Sequence, residues 1–164
     1  MSLLSARKTL LFFHVTTSMG LLGGVVSFLA LSIAGLAGRT DLYGATDIIA
    51  DVVVLPLTIL ALALGILQSL VSPWGLFRHH WVVVKLVTTV IVLGVLLLQM
   101  GGIDRLAGLT EAELNEQSAM AIHSSLVLHS AAGIVPLLLA TILSIFKPKG
   151  LSRYGWERRI KAST

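Results

Sequence analysis

The chain has 164 residues, of which 55% are hydrophobic and 12% are charged, with a formal net charge of +4. A typical soluble domain carries about 25% charged residues, so this composition excludes an ordinary soluble enzyme, a disordered chain and a collagen-like fibre. Because the sequence contains no cysteine, a disulfide scaffold and a cysteine-ligated zinc site are also excluded. The class that remains is an integral membrane protein.

Four apolar stretches predict four transmembrane helices. About 20 helical residues cross a hydrocarbon core of about 30 Å, and each stretch reaches that length. Lipid offers the backbone no hydrogen-bond partner, so each stretch should be α-helical, and short connectors should make consecutive helices antiparallel neighbours. The predicted fold is an all-α, antiparallel transmembrane four-helix bundle over residues 1–146, followed by a basic tail at 147–164. The helices are predicted at residues 9–36, 48–71, 81–100 and 119–146.

The first apolar stretch follows Arg7 and Lys8, as a signal peptide would. It is far longer than the apolar region of a signal peptide, so we predict a helix that stays in the protein. Small residues recur along it at helical spacing, which lets a neighbouring backbone approach closely. This stripe favours packing within the bundle, with a homodimer face or room for a flat ligand as alternatives. Its members are Thr17, Gly20, Gly24 and Ser27.

Two prolines fall inside predicted helices, Pro56 in the second and Pro136 in the fourth. Each removes a backbone donor and predicts a bend in its helix. Bends of this kind are tolerated in membranes and can open a cavity within a bundle.

Charged residues are distributed unevenly between the two sets of predicted helix ends. Ten of the twelve basic residues fall at one set, and seven of the eight acidic residues fall at the other. The positive-inside rule therefore predicts that both termini lie in the cytoplasm. The basic tail would lie beside an anionic lipid leaflet, which favours the bilayer over a nucleic acid as its partner.

Four polar residues are predicted at one depth, near the cytoplasmic ends of the helices: His14, His79, His80 and Lys85. An ionisable group inside the bilayer costs roughly 2.5–3.5 kcal/mol on insertion scales, so such groups should face the bundle interior or reach an interface. Antiparallel packing brings His14 to the height of the histidine pair that precedes the third helix.

The distribution of histidines favours haem over zinc. A structural zinc site needs four close ligands, whereas b-type haem needs one or two axial ligands and an apolar slot. We predict that His14 is an axial ligand and that His80 or His79 is the second. Lys85 either reaches the membrane surface or holds a haem propionate or another buried anion.

A second candidate polar site lies in the opposite half of the membrane. Asp51 and His129 are predicted to pair across helices, as a proton relay or as part of a metal site. His123 and His129 are six residues apart and face different sides of a helix, and His123 is predicted to be a hydrated interfacial residue. Both histidines, together with Met120, make copper handling an alternative hypothesis.

The segments FHVTTSMGLLGG (13–24) and SPWGLFRHHWVVVKL (72–86) resemble an uncharacterised bacterial family of four-helix integral membrane proteins. This resemblance implies a multi-pass protein of the bacterial inner membrane. The early histidine and the tryptophan-rich entry to a third helix with an internal lysine are also similar to HemJ-type protoporphyrinogen oxidases and CopD-like membrane domains. In the HemJ type that histidine ligates haem and that lysine is essential, roles that the resemblance assigns to His14 and Lys85. The Pro-Arg element of the HemJ type is missing from residues 23–35, so the resemblance supports haem binding more than porphyrinogen oxidation.

The leading hypothesis is therefore a b-type haem protein that transfers electrons or oxidises a lipophilic substrate, such as a quinol or a porphyrinogen. Whether the protein is an enzyme stays open. The alternatives are a non-enzymatic small subunit or interaction protein of a larger membrane complex, a homo-oligomer, and the copper-handling protein described above. A transporter is less favoured, because no inverted repeat is evident in the sequence.

Overall fold

The computed structural model describes residues 3–72, 74–114, 117–148 and 150–161, and these residues are almost entirely helical. In chain order the elements are α1 (Leu3–Leu36), a 3-10 turn (Thr40–Leu42), α2 (Tyr43–Ile49), a π-helical turn (Ala50–Val54), α3 (Leu55–Val71), α4 (His80–Ala107), α5 (Glu111–Leu114), α6 (Gln117–Phe146) and α7 (Arg153–Lys161).

Within the described residues, four helical segments are long and apolar enough to cross a membrane: Ser5–Leu36, Thr40–Val71, His80–Ala107 and Gln117–Phe146. Their outer faces expose large apolar side chains, such as Leu98 at 85% and Phe146 at 76% exposure. Lipid chains solvate such faces, whereas water does not. The prediction of an all-helical, multi-pass membrane protein is confirmed.

Helices α1 and α4 extend beyond their predicted limits. Helix α1 begins before residue 9, and α4 continues through the connector that was predicted to begin at residue 101. A Cβ atom on Gly102 would lie 3.2 Å from Cγ2 of Ile122, so the glycine allows α4 to approach α6 closely. The next apolar residues, Ile103 and Leu106, are almost fully buried. Their burial outweighs the weak helix propensity of the glycine pair.

The second membrane-crossing segment changes helix type along its length. It starts with the 3-10 turn and α2, before the predicted residue 48, and passes through the π-helical turn into α3. Pro56 lies at the start of α3, where it lacks an N–H and its ring crowds the preceding turn. The wider π-helical turn accommodates this irregularity. By contrast, α6 continues through Pro136 as one helix.

Close packing of α1 on the second segment depends on two glycines of the small-residue stripe. Cβ atoms on Gly20 and Gly24 would lie 3.3 Å from Cδ1 of Leu57 and 3.1 Å from Cγ1 of Val53. These glycines therefore serve contacts within the chain, the interpretation that the sequence favoured. Helix α1 also packs against α6, and α4 packs against both α3 and α6.

The buried core is formed where α2, the last turns of α4 and the start of α6 meet, and it continues along α1 and α3 to Leu21 and Ala61. Its largest fully buried apolar side chains are Leu21, Ile103, Leu106 and Leu126. The bundle also contains a cavity, described below.

Helix α5 begins with a cap in which the side chain of Glu113 accepts two hydrogen bonds from Thr110. The backbone N–H and the hydroxyl of Thr110 donate to Oε2 of Glu113 at 2.9 and 2.6 Å. Since both hydrogen bonds stabilise the ionised carboxylate, they lower the pKa of Glu113 from its ordinary value.

The basic tail is docked on the connector between α3 and α4. The backbone N–H of Ser152 donates to the carbonyl oxygen of Arg78 at 2.9 Å, and its hydroxyl donates to the carbonyl oxygen of Phe77. Gly155, in α7, lies so close to the carbonyl oxygen of Arg78 that a Cβ atom would clash with it. The tail thus fixes the connector that leads into α4.

Candidate functional site

A cavity of about 280 Å³ lies between α1, α3 and α4 and reaches the end of α6. His14 and Lys85 both line it, together with Gly65, Gln68 and Trp81. The structure therefore brings together two of the four residues that the sequence placed at this depth. We call this space the His14 cavity.

The imidazole of His14 extends from α1 onto α3. A Cβ atom on Gly65 would lie 3.2 Å from Cε1 of His14, so this glycine makes room for the ring. Ala61 lies beside the ring in the lining of the same cavity. Nδ1 of His14 is buried and has no hydrogen-bond partner among the described residues. A neutral imidazole nitrogen without a partner is available to ligate a metal.

Polar atoms without partners are concentrated at this cavity. Within the described part of the chain, five buried side-chain polar atoms lack a hydrogen bond, and three of them belong to residues that line the cavity. They are Nδ1 of His14, Oε1 of Gln68 and Nε1 of Trp81. More than about 90% of buried polar groups in proteins are hydrogen-bonded. Three exceptions at one cavity make it the candidate binding site of the described residues.

Two lysines give the cavity a positive border. Nζ of Lys85 donates to Oγ of Ser144 at 2.6 Å and lies 5.9 Å from the ring centroid of Trp81. Lys147, which also lines the cavity, has its Nζ 5.8 Å from the ring centroid of Trp74. Lys85 is half-buried and is held by α6 at the cavity wall. An anionic group in the cavity would meet both ammonium groups at short range.

The two neighbouring histidines do not line the cavity. Nδ1–H of His79 donates to the carbonyl oxygen of Trp74 at 2.7 Å, and the ring packs edge-on against that indole at 5.1 Å between centroids. His80 is exposed and begins α4 beside Gly150. His79 thus orients a tryptophan of the cavity wall, and neither histidine is among the residues that line the cavity. A second axial ligand from this pair stays a prediction.

Asp51 and His129 have different neighbours in the structure. Carboxylate oxygens of Asp51, Asp47 and Asp104 lie within 4.8 Å of one another, so the residue that Asp51 meets across helices is an aspartate of α4. His129 instead contacts the side chains of Gln99 and Ser125. The predicted Asp51–His129 pair is therefore not among the contacts of the described residues.

His123 is buried, which corrects the prediction of a hydrated interfacial residue. It is 4% exposed, and its Nδ1 lies 2.8 Å from the hydroxyl of Tyr43, which is equally buried. The long side chain of Tyr43, in α2, covers the ring of His123, although both residues lie near helix ends. Sequence reasoning did not identify Tyr43, because nothing in its local pattern shows which helix it faces. No group of three or more His, Asp or Glu ligands among the described residues contains His123 and His129 together. Copper handling through these histidines and Met120 stays a hypothesis.

The side chains at the His14 cavity fit the chemistry of haem. A partner-free imidazole nitrogen suits the iron, the lysines suit propionates, and indole and aliphatic walls suit the ring. The enclosed volume of about 280 Å³ is close to the lower end of the range of about 300–1,000 Å³ for ligand sites. A porphyrin is large for this space.

Comparison of the chain with protein families, with curated proteins and with solved structures gave no match.

Proposed function

We propose that this chain is a membrane protein that binds b-type haem in the His14 cavity. Its role is electron transfer or oxidation of a lipophilic substrate such as a quinol or a porphyrinogen. The observation that carries the proposal is the buried, partner-free Nδ1 of His14 in a cavity where Gln68 and Trp81 also present polar atoms without partners.

The residues around the cavity have distinct roles in this proposal. His14 would hold the iron through its partner-free Nδ1, and the close contact with Gly65 positions its ring on α3. Lys85 and Lys147 neutralise anionic substituents of the ligand, with Ser144 holding the ammonium of Lys85 at the wall. A bound haem supplies a one-electron couple, whose potential depends on burial and on nearby charges.

Visible spectroscopy of the purified protein in lipid nanodiscs tests the proposal. We expect a Soret band after expression with adequate haem supply, and a titratable band when haem is added to the apoprotein. His14→Ala should abolish the band, because it removes the only imidazole that lines the cavity among the described residues. Lys85→Met should weaken haem binding by about tenfold, the loss of roughly one charge-assisted contact.

His80→Ala is the matched control, because this exposed histidine lies outside the cavity lining. Its Soret band should equal that of the wild type. Folded wild-type protein without a Soret band, or a band that survives in His14→Ala, contradicts the proposal.

We also propose that the four membrane-crossing segments are antiparallel neighbours with both termini in the cytoplasm, in a bacterial inner membrane. Along α1 from Gly20 to Gly35, the neighbouring residue in the second segment changes from Leu57 back to Tyr43. This reversed sequence of contacts supports an antiparallel arrangement of the first two segments. The uneven distribution of basic residues supports the orientation.

The absence of cysteine from the sequence makes this orientation directly testable. In intact cells, a membrane-impermeant maleimide should label Asp41→Cys, in the first connector. Arg159→Cys, in α7, should react only after the membrane is permeabilised. The reverse pattern would contradict the proposed orientation.

A further inference from the structure

A second concave site lies on the membrane-facing side of the bundle, between α4 and α6. It is a cleft of about 230 Å³ whose floor is formed by Val25, Phe28 and Val54, all largely buried. No residue that lines the His14 cavity also lines this cleft. At its rim Ile91 is 59% exposed, so the cleft is open to the bilayer. We call it the α4–α6 cleft.

The lining of the cleft is almost entirely apolar. Among the described residues that line it, Gln99, His129 and Ser130 are the polar ones, and none carries a permanent charge. An ionised headgroup in this cleft would be buried without a counter-charge, which is unfavourable. A ligand of the cleft is therefore neutral and mostly apolar.

His129 presents a free hydrogen-bonding nitrogen at the cleft. Within the described part of the chain, all of its hydrogen bonds use Nδ1, which lies 2.6 Å from Nε2 of Gln99 and 2.7 Å from the carbonyl oxygen of Ser125. When Nδ1 accepts from the amide, Nε2 carries the proton and donates. When Nδ1–H donates to the carbonyl, Nε2 accepts. In both tautomers Nε2 is left for a partner from outside the chain.

The depth of His129 makes such a partner necessary. It lies near the middle of α6, where surrounding lipid tails offer no hydrogen bond. An acyl chain filling the cleft would leave Nε2 unpaired. A transmembrane helix of a partner is about 10 Å wide and cannot enter a space of about 230 Å³.

We propose that the α4–α6 cleft binds the headgroup of a lipid-soluble quinone or quinol, with Nε2 of His129 as its hydrogen-bond partner. A quinone carbonyl accepts and a quinol hydroxyl donates, and the imidazole matches each in one of its tautomers. Gln99 fixes the ring of His129, and the apolar walls hold the ring and the first part of the tail. Binding is independent of haem; only a redox role for the ligand rests on the proposed function.

Gly133 provides a selective way to fill the cleft. A Cβ atom there meets nothing within 4 Å, and the residue lines the cleft, so a larger side chain would extend into ligand space from an unobstructed Cβ position. Gly94 of α4 is equally open and is not part of the lining. Gly133→Leu and Gly94→Leu therefore form a matched pair.

The test measures equilibrium binding of radiolabelled decylubiquinone to the full chain in nanodiscs, with empty nanodiscs subtracted. Wild type and Gly94→Leu should bind equally, and Gly133→Leu should lose saturable binding. His129→Phe should weaken binding by about tenfold, the effect of one lost hydrogen bond. Decylbenzene, which has no oxygen, should fail to compete at concentrations where unlabelled quinone does.

Three outcomes overturn the inference. The first is no saturable quinone binding by folded wild-type protein. The second is equal binding by wild type and Gly133→Leu. The third is a change of oligomeric state in Gly133→Leu with quinone binding intact, which would assign the cleft to a second copy of the chain. Since Gly133 is remote from the His14 cavity lining, the Soret band of each variant reports separately on the proposed haem site.

Discussion

At the scale of single residues, Tyr43 and His123 form a polar contact between two buried side chains. Their rings lie 4.7 Å apart between centroids, and both side chains are almost fully buried. Nε2 of His123 already lacks a partner among the described residues, so Nδ1 provides the ring with its single hydrogen bond. The hydroxyl of Tyr43 therefore matters more for stability than a tyrosine hydroxyl at the surface.

Tyr43→Phe should lower the free energy of unfolding by roughly 1–3 kcal/mol, because it leaves a buried imidazole without any hydrogen bond. Reversible unfolding in mixed detergent micelles measures the change. Tyr154→Phe is the control, since Tyr154 is half-exposed in α7 and its ring is occupied by a cation–π contact with Arg158. Equal changes in the free energy of unfolding for the two substitutions would show that the buried contact contributes no more to stability than the exposed tyrosine hydroxyl.

The sequence allowed part of the site to be predicted at this scale. His14 and Lys85 could be placed at one depth because each lies a fixed number of helical residues from a helix end. Gln68 and Trp81 are also polar side chains near helix ends, but only the three-dimensional packing shows that their polar atoms have no partners. The burial of His123 could not be predicted either, since it depends on a residue 80 positions away.

At the scale of helices, composition predicts which segments cross the membrane but not the residue at which each helix ends. The glycine pair after residue 100 has the local pattern of a helix end, yet α4 continues because the residues that follow are buried. The π-helical turn before Pro56 likewise has no signature in hydropathy, because it depends on backbone hydrogen bonds. Boundaries are set by tertiary packing, which a single sequence does not display.

The docking of α7 yields a prediction for one element. Gly155→Ala should detach the tail, because its Cβ atom would overlap the carbonyl oxygen of Arg78. Limited trypsin digestion should then cleave after Arg158 and Arg159 at least several-fold faster than in the wild type, since docked helices are poor protease substrates.

Gly150→Ala provides the comparison for this tail variant. A Cβ atom at residue 150 would lie 3.7 Å from Cδ2 of His80, an ordinary contact. Its digestion rate should match the wild type. If Gly155→Ala is digested no faster than Gly150→Ala, then the close contact with Arg78 does not hold the tail.

At the scale of the whole molecule, glycines of the bundle face two kinds of neighbour. A Cβ atom on Gly35 would lie 2.7 Å from the ring of Tyr43, which is buried in the core. A Cβ atom on Gly65 would lie 3.2 Å from His14, whose ring borders the cavity and has space to move. The same chemical change should therefore have different consequences at the two positions.

Gly35→Ala should lower the free energy of unfolding by about 1–3 kcal/mol, the usual effect of overpacking a core, and leave the ring of His14 unchanged. Gly65→Ala should leave stability within about 0.5 kcal/mol of the wild type. It should displace the imidazole of His14 into the cavity and weaken ligand binding there. Denaturation measures the free energy of unfolding of both variants. NMR of protein labelled at the histidine ring nitrogens reports the displacement of the His14 ring without any bound haem. If both alanines changed stability equally and neither moved the His14 resonance, the division into a rigid core and an adaptable ligand cavity would be wrong.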